Sequence, residues 1–187
     1  MTTRPDKKMS DSVNPVPVPK KNLGQNFLVH KGTVEKIADL ACRKAGRFII
    51  ELGAGTGNLT RALAERCKNV IALEIDQRLL EWHAQTQGLP GNVDLRSSDI
   101  LKISYESLAA ETGSRLLVAG NLPYNISTQV VFSMCRQSRF IEEAFLLFQK
   151  EVADRIVSAP GSRSYGVLSV VAQYSARTTK LLDIPPS

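Results

Sequence analysis

Apolar residues along this chain fall into short continuous runs, and between the runs they recur at helical spacing. The runs predict strands at residues 48–52, 70–74, 93–96, 116–119 and 144–148. The periodic stretches predict helices at residues 34–41, 58–67, 77–86, 105–111, 127–135 and 151–157. Continuous apolar strands that alternate with amphipathic helices are typical of a parallel sheet covered on both faces. We therefore predict an α/β fold with a doubly wound, mostly parallel sheet.

The ends of the pattern suggest one domain preceded by an arm. Residues 1–22 contain lysines and prolines but almost nothing that could pack, which predicts a disordered basic N-terminal arm. Such an arm either contacts RNA or is a tail without a role. The chain has 187 residues, of which 43% are apolar, and this length suits one hydrophobic core rather than two. Residues 23–187 are therefore predicted to form a single domain.

Charge and cysteine content narrow the function classes. A formal net charge of +6 is compatible with a polyanionic partner, although many basic proteins never bind nucleic acid. Cys42, Cys67 and Cys135 are odd in number and lack C-x-x-C spacing, so we expect reduced, mostly buried thiols and a cytoplasmic protein. His30 and His83 are too few for a histidine metal cluster, and no metal is predicted. No apolar run is long enough to span a bilayer, and no signal peptide is evident.

A glycine-rich turn follows the first predicted strand. Gly53, Gly55 and Gly57 lack side chains, so that backbone amides there can approach a ligand closely. A dinucleotide fingerprint needs glycine at its sixth position, where this chain has Asn58, and NAD is therefore disfavoured. Glu74 ends the second predicted strand, a position from which a carboxylate can accept hydrogen bonds from ribose hydroxyls. An exposed acidic residue at a strand end is the alternative for Glu74.

Asp99 follows the third predicted strand and is a further candidate for cofactor binding. Its carboxylate can accept a hydrogen bond from an adenine amino group, and Ile75 and Ile100 can lie on either side of the ring. Taken singly, Asp99 is as compatible with a helix cap and the isoleucines with the core. Because the glycines, Glu74 and Asp99 occur at three successive strand ends, they together predict a pocket for an adenosine-bearing cofactor.

A second group of residues, Asn121, Leu122, Pro123 and Tyr124, follows the fourth predicted strand. Proline favours an extended backbone at Leu122 and fixes the direction of its carbonyl. The exocyclic amine of adenine is a poor nucleophile because its lone pair is delocalised. Hydrogen bonds to the Asn121 side-chain oxygen and the Leu122 carbonyl would favour a tetrahedral amine, and Tyr124 would stack on the base. An ordinary Asn-Pro turn at the end of a strand is the alternative.

Seven collinear motifs carry a resemblance to a known family. They lie at residues 24–28 (GQNFL), 51–60, 73–76 (LEID), 99–101 (DIL), 121–127 (NLPYNIS), 149–152 (QKEV) and 165–170 (YGVLSV). In these motifs the chain, over about residues 21–187, resembles the ribosomal RNA adenine dimethyltransferases, specifically the bacterial KsgA/RsmA type that acts on small-subunit RNA. The resemblance implies a Rossmann-like class I methyltransferase domain.

The resemblance also implies a cofactor and a reaction. S-adenosylmethionine would be held by residues matching the family's motifs, namely Asn26, Leu28, Gly53, Glu74, Asp99 and Asn121. Two methyl groups would go onto the amine of each of two adjacent adenosines in small-subunit ribosomal RNA or in a pre-assembled small subunit, and the enzyme would act as a monomer. Two departures are visible. The turn has Ala54 where many relatives have proline, and the chain ends at Ser187, where the family continues with an aromatic residue, a last strand and a helical domain.

Other functions stay open at this point. An antibiotic-resistance methyltransferase acting on large-subunit RNA and a DNA adenine methyltransferase would use the same chemistry, although residues 165–173 favour the small-subunit type. A non-catalytic ribosome-assembly or transcription factor could retain the fold. An NAD-dependent oxidoreductase is opposed by Asn58 and by the lack of a suitable acid or base.

Overall fold

A computed structural model describes residues 15–43 and 47–184. The five strands are β1 (Phe48–Leu52), β2 (Asn69–Glu74), β3 (Val93–Ser97), β4 (Leu116–Asn121) and β5 (Ile141–Leu147). The described residues form seven α-helices: α1 (Lys31–Ala41), α2 (Asn58–Ala64), α3 (Gln77–Thr86), α4 (Tyr105–Thr112), α5 (Ser127–Arg136), α6 (Lys150–Ile156) and α7 (Val167–Ser175). Short 3-10 turns occur at Lys21–Leu23 and Ser138–Phe140.

All five strands are parallel and lie in the order β3-β2-β1-β4-β5. The predicted doubly wound parallel sheet is therefore confirmed. The chain moves outward from β1 to β3 and then returns to place β4 on the other side of β1. A crevice opens at the carboxyl ends of the strands where the strand order reverses, here between β1 and β4. This crevice is the expected position of a ligand.

Each face of the sheet carries its own hydrophobic core. On one face α1 and α2 cover Ile49 and Ala119, and on the other α4 and α5 cover Ile50 and Val118. Neighbouring strand residues point to opposite faces, so strands buried on both sides need apolar residues at nearly every position. This explains why continuous runs, rather than alternating patterns, mark β1 and β4 in the sequence.

Helix α7 was not predicted from the spacing of apolar residues. Helix α7 buries only the small residues Ser169 and Ala172, whereas Val167, Val170 and Tyr174 are exposed. The Ser169 hydroxyl donates to the Arg155 carbonyl and so holds α7 against the end of α6. The other large apolar residues of α7 are half-buried, so apolar side chains occur on both the inner and the outer side of the helix and the sequence shows no single apolar stripe.

The prediction of three reduced thiols is wrong for two of them. Cys42, at the end of α1, forms a disulfide with Cys67, in the turn after α2, with their Cα atoms 6.1 Å apart. Cys135 is free and half-buried. Sequence spacing could not reveal the pair because it results from the packing of α1 beside α2. Arg66 reinforces the same contact through ion pairs with Glu35 and Asp39.

Residues just before the predicted domain start at residue 23 have contacts and local structure of their own. Lys20 forms an ion pair with Asp76, and the 3-10 turn begins at Lys21. Residues 1–14 of the predicted arm, and Gly46, which was expected to end the first helix, lie outside the described residues. Within the described part of the chain, no helix has the length and hydropathy needed to cross a membrane.

Candidate functional site

A cavity of about 270 Å³ lies at the carboxyl ends of the central strands, beside the point where the strand order reverses. All nine residues predicted to bind a cofactor line it: Asn26, Leu28, Gly53, Gly55, Glu74, Ile75, Asp99, Ile100 and Asn121. Pro123 lines it as well, whereas Leu122 and Tyr124 do not. Among the described residues, no cluster of histidine, cysteine and acidic side chains has the arrangement of a metal site.

The glycine turn after β1 forms one wall of the cavity. Gly53 and Gly55 have φ angles of +83° and +54°, in the left-handed region that glycine adopts without strain. The N–H groups of Gly53 and Ala54 both donate to the Leu73 carbonyl, at 2.9 and 3.0 Å, which attaches the turn to β2. The Phe27 ring lies beside Gly55, 3.4 Å from where a Cβ atom would be, whereas a Cβ atom on Gly53 would meet only the Asn121 carbonyl, at 3.9 Å, so a ligand can approach the backbone there.

The Glu74 carboxylate is held by backbone groups on both sides. Its Oε2 atom accepts from the Gly55 N–H, and its Oε1 atom accepts from the N–H groups of Ile75 and Asp76, all at 2.8 Å. The residue is only 5% exposed and lines the cavity. A carboxylate oxygen can accept more than one hydrogen bond, so the fixed group can still receive ligand hydroxyls.

Two isoleucines and Asp99 complete the side of the cavity near β3. Ile100 is buried, while Ile75 is 54% exposed and presents a large apolar surface at the rim. Asp99 does cap a turn, because its Oδ1 atom accepts from the Leu101 N–H at 3.0 Å. Its other oxygen lies 3.7 Å from the Lys102 ammonium, and the side chain is 29% exposed. The cap fixes Asp99 at the cavity wall, so the two interpretations of this residue are compatible.

The corner after β4 combines a buried anchor with exposed polar groups. Leu122 is buried, and its N–H donates to the Leu147 carbonyl at 3.3 Å. No hydrogen bond between described residues ends on the Leu122 carbonyl. The Asn121 amide nitrogen donates to the Asn26 carbonyl at 2.6 Å. The Oδ1 atom of the same side chain is therefore the atom that can accept a hydrogen bond from a ligand. Tyr124 is 42% exposed, and its hydroxyl accepts from the Asn26 side chain.

Residues 20–28, here termed the N-terminal strap, cover the cavity and are attached to the start of α3. The side chain of Asp76 is 1% exposed and accepts from Gln25 Nε2 at 3.1 Å and Lys20 Nζ at 3.4 Å. The Arg78 guanidinium holds the pKa of Asp76 well below its usual range, so this carboxylate remains charged. Asp76 thus fixes the strap residues that line the cavity, a role that the sequence did not reveal.

Glu51 is a second residue missed by the sequence argument. It lies on β1, is 1% exposed and borders the cavity, and its Oε2 atom has no hydrogen-bond partner among the described residues. Burial raises the pKa of Glu51 to about 8, an effect that the Thr60 hydroxyl opposes and the Glu74 carboxylate reinforces. An ionisable residue between Ile50 and Leu52 in an apolar run was the available signal.

The doubly wound sheet, the glycine turn and the strand-end carboxylates define a Rossmann-like methyltransferase fold. Residues 18–187 match the family model described as ribosomal RNA adenine dimethylase, and the chain belongs to this family. It is 37% identical over 169 residues to ribosomal RNA small subunit methyltransferase A of Desulfotalea psychrophila, covering 90% of this chain and 57% of the relative. It is 40% identical over 167 residues to the protein of the same name from Francisella tularensis subsp. novicida, covering 89% and 64%.

Two solved structures are also similar. A dimethyladenosine transferase from Plasmodium falciparum has a TM-score of 0.62 at 28% identity, covering 79% of this chain and 52% of that one. The 23S rRNA methyltransferase ErmE has a TM-score of 0.59 at 30% identity, covering 70% and 50%. The chain spans about three fifths of the length of the two curated relatives described above.

Proposed function

We propose that this chain is the methyl-transferring domain of an enzyme that dimethylates N6 of two adjacent adenosines in small-subunit ribosomal RNA, with S-adenosylmethionine as the methyl donor. The observation that carries the proposal is the corner of Asn121, Leu122 and Pro123 beside a cavity that also contains Glu74 and Asp99. The substrate is the RNA itself or a pre-assembled small subunit. An enzyme with this substrate would work in the cytoplasm.

The cavity has the hydrogen-bond acceptors and the apolar surface that suit an adenosine-bearing cofactor. Glu74 would accept from the ribose hydroxyls, since three backbone N–H groups already fix its orientation. Asp99 would accept from the adenine amine, and Ile75 and Ile100 offer apolar surface for the ring. Gly53 and Gly55 leave room for the remainder of the cofactor, beneath Asn26 and Leu28 of the strap.

The base site prepares the target amine without a strong general base. S-adenosylmethionine would supply a methyl group on a sulfonium, which a neutral amine can attack, and the nitrogen would lose a proton to solvent after it has taken the methyl group. The Asn121 Oδ1 atom and the Leu122 carbonyl would accept the two amine hydrogens, while Tyr124 stacks on the ring. Extraction of a base from its stack takes a few kcal/mol, and aromatic stacking offsets roughly 1–3 kcal/mol of this.

Basic surface residues would contact the RNA backbone. The candidates are Lys20, Lys21, Arg155, Arg163, Arg177 and Lys180. Three of them already have acidic partners: Lys20 pairs with Asp76, Arg155 with Glu151, and Lys180 with Asp154. Phosphate contacts release counterions, so binding would weaken steeply between low and moderate salt. An affinity for the small subunit that does not change with salt would contradict this assignment.

Large-subunit RNA is the second candidate substrate, and the similarity to ErmE favours it. The higher identity to proteins named small subunit methyltransferase A supports the small subunit instead.

A methylation assay tests the proposed substrate. Labelled S-adenosylmethionine is incubated with under-methylated small subunits, naked RNA of each subunit and duplex DNA, and the modified base is mapped. Label on adjacent adenosines of the small subunit is expected. Label confined to large-subunit RNA or to DNA would contradict the proposal.

A further inference from the structure

His83 lies on α3, outside the cavity, against the glycine turn. It is 4% exposed, and its Nε2 atom is 2.9 Å from the Gly55 carbonyl oxygen. A carbonyl can only accept, so Nε2 carries the proton of this bond. The Nδ1 atom is buried and has no hydrogen-bond partner among the described residues. The geometry therefore specifies the neutral Nε2–H tautomer.

Gly55 is held on both of its peptide planes. Its N–H donates to Glu74 Oε2 at 2.8 Å, and its C=O accepts from His83. With a φ angle of +54° and no side chain, Gly55 has a wide choice of conformations. The two hydrogen bonds select one of them and connect the turn to the end of β2 and to α3.

The polar bond, rather than packing alone, distinguishes histidine at this position. A Cβ atom on Gly57 would lie 2.9 Å from the His83 ring, which shows that the ring fills the space behind the turn. An apolar side chain could fill that space but would leave the Gly55 carbonyl without its donor. Burial lowers the pKa of His83, with Arg61 acting in the same direction and the Gly55 carbonyl and Glu74 opposing it. The ring thus supplies a donor without introducing a charge.

We propose that His83 is a positioning residue for the cofactor: its Nε2–H bond to Gly55 holds the glycine turn in the shape that presents backbone groups and the Glu74 carboxylate to the ligand. This inference rests on the proposed function, because it assumes that an adenosine-bearing cofactor occupies the cavity. His83 itself contacts neither the cofactor nor the target base.

Three variants separate positioning from packing. His83→Leu removes the donor, His83→Gln keeps an amide N–H near the Nε2 position, and Leu79→Ala perturbs a fully buried residue of α3 that does not line the cavity. Calorimetry with S-adenosylhomocysteine measures affinity, and thermal unfolding measures stability. We expect about a tenfold loss of affinity in His83→Leu, within about threefold of wild type in His83→Gln, and unchanged affinity in Leu79→Ala despite its lower Tm.

Measurements on the ligand-free protein keep the inference testable if the cofactor assignment fails. The ¹⁵N resonances of the His83 ring should report the neutral Nε2–H tautomer, and amide hydrogen exchange at residues 55–57 should be faster in His83→Leu and restored in His83→Gln. Absence of S-adenosylhomocysteine binding by the wild-type protein would overturn the cofactor role and the proposed function together, while the tautomer would still establish or refute the Gly55 bond. Wild-type affinity and exchange in His83→Leu would overturn the positioning role alone.

Discussion

The side-chain amide of Asn121 donates a 2.6 Å hydrogen bond to the backbone carbonyl of Asn26 and thereby joins the proposed base site to the N-terminal strap. The same strap residue donates from its own side chain to the Tyr124 hydroxyl. The strap, which covers the cavity proposed to bind the cofactor, is thus connected to both polar side chains of the proposed base site. Asn121 also lines the cavity, whereas Tyr124 does not, so a change at Asn121 should affect the cavity directly as well as the base site.

Alanine variants of Tyr124 and Asn121 should separate cofactor binding from methyl transfer. We expect Tyr124→Ala to retain its affinity for S-adenosylmethionine. Its rate of methyl transfer should fall, because roughly 1–3 kcal/mol of base stacking is lost. Asn121→Ala should weaken both, because it loses the bond to Asn26 and an acceptor for the amine. Calorimetry and a methylation assay measure the two effects. Normal methylation by Tyr124→Ala would refute the stacking role.

Removal of the Glu74 carboxylate should weaken cofactor binding by roughly 2–3 kcal/mol, the scale of charge-assisted hydrogen bonds. Glu74→Ala also leaves the N–H groups of Gly55, Ile75 and Asp76 without their acceptor, so a lower Tm is expected as well. Glu81→Ala, an exposed residue on α3, serves as the matched control. Calorimetry well below the variant's Tm measures the affinity, and a value equal to that of the control would rule out Glu74 as a cofactor ligand.

The strand-end residues of the site were predictable because a parallel sheet brings the carboxyl ends of its strands together. Glu74, Asp99 and Asn121 each follow or end an apolar run, so their convergence required only the fold class. Strand bounds were less accurate at β5, which was predicted from residue 144 but begins at Ile141. Glu142 and Glu143 interrupt the apolar pattern there because this strand is half-exposed.

The parts of the site that sequence could not predict depend on contacts between distant segments. The Asp76 carboxylate accepts hydrogen bonds from Gln25 and Lys20, more than fifty residues away, and His83 reaches Gly55 from α3. Neither pairing leaves a periodic signal, since each involves single side chains whose partners are set by packing. The Cys42–Cys67 disulfide is a further example.

The disulfide should contribute to stability only under oxidising conditions. The cysteines are separated by 25 residues, and a cross-link of this size restricts the unfolded chain enough to contribute about 3 kcal/mol. We expect reductant to lower the Tm of the wild-type protein and to leave the Tm of Cys42→Ser unchanged. Cys135→Ser, which removes the free cysteine, should respond to reductant as the wild type does. Equal Tm values for the wild-type protein with and without reductant would contradict the expected contribution.

Glu51 should make the stability of the domain depend on pH. Its pKa rises from an ordinary value of 4.5 to about 8 on folding, so the folded state binds a proton more tightly than the unfolded chain does. Its favourable contribution is complete below about pH 4.5, decreases as pH rises through the interval up to about 8, and is lost above it. Glu51→Gln retains a neutral side chain of similar size at every pH.

The free energy of unfolding of Glu51→Gln should therefore exceed that of the wild type by an amount that grows between about pH 4.5 and 8 and reaches a few kcal/mol. Urea unfolding across this range measures the difference, with Glu106→Gln, an exposed residue on α4, as the control. The difference in unfolding free energy between Glu51→Gln and the wild type must grow over the whole interval, whereas the difference between the control and the wild type should stay constant. A constant difference between Glu51→Gln and the wild type would mean that Glu51 is ionised in the folded protein, and its unpaired Oε2 atom would then need a cationic partner.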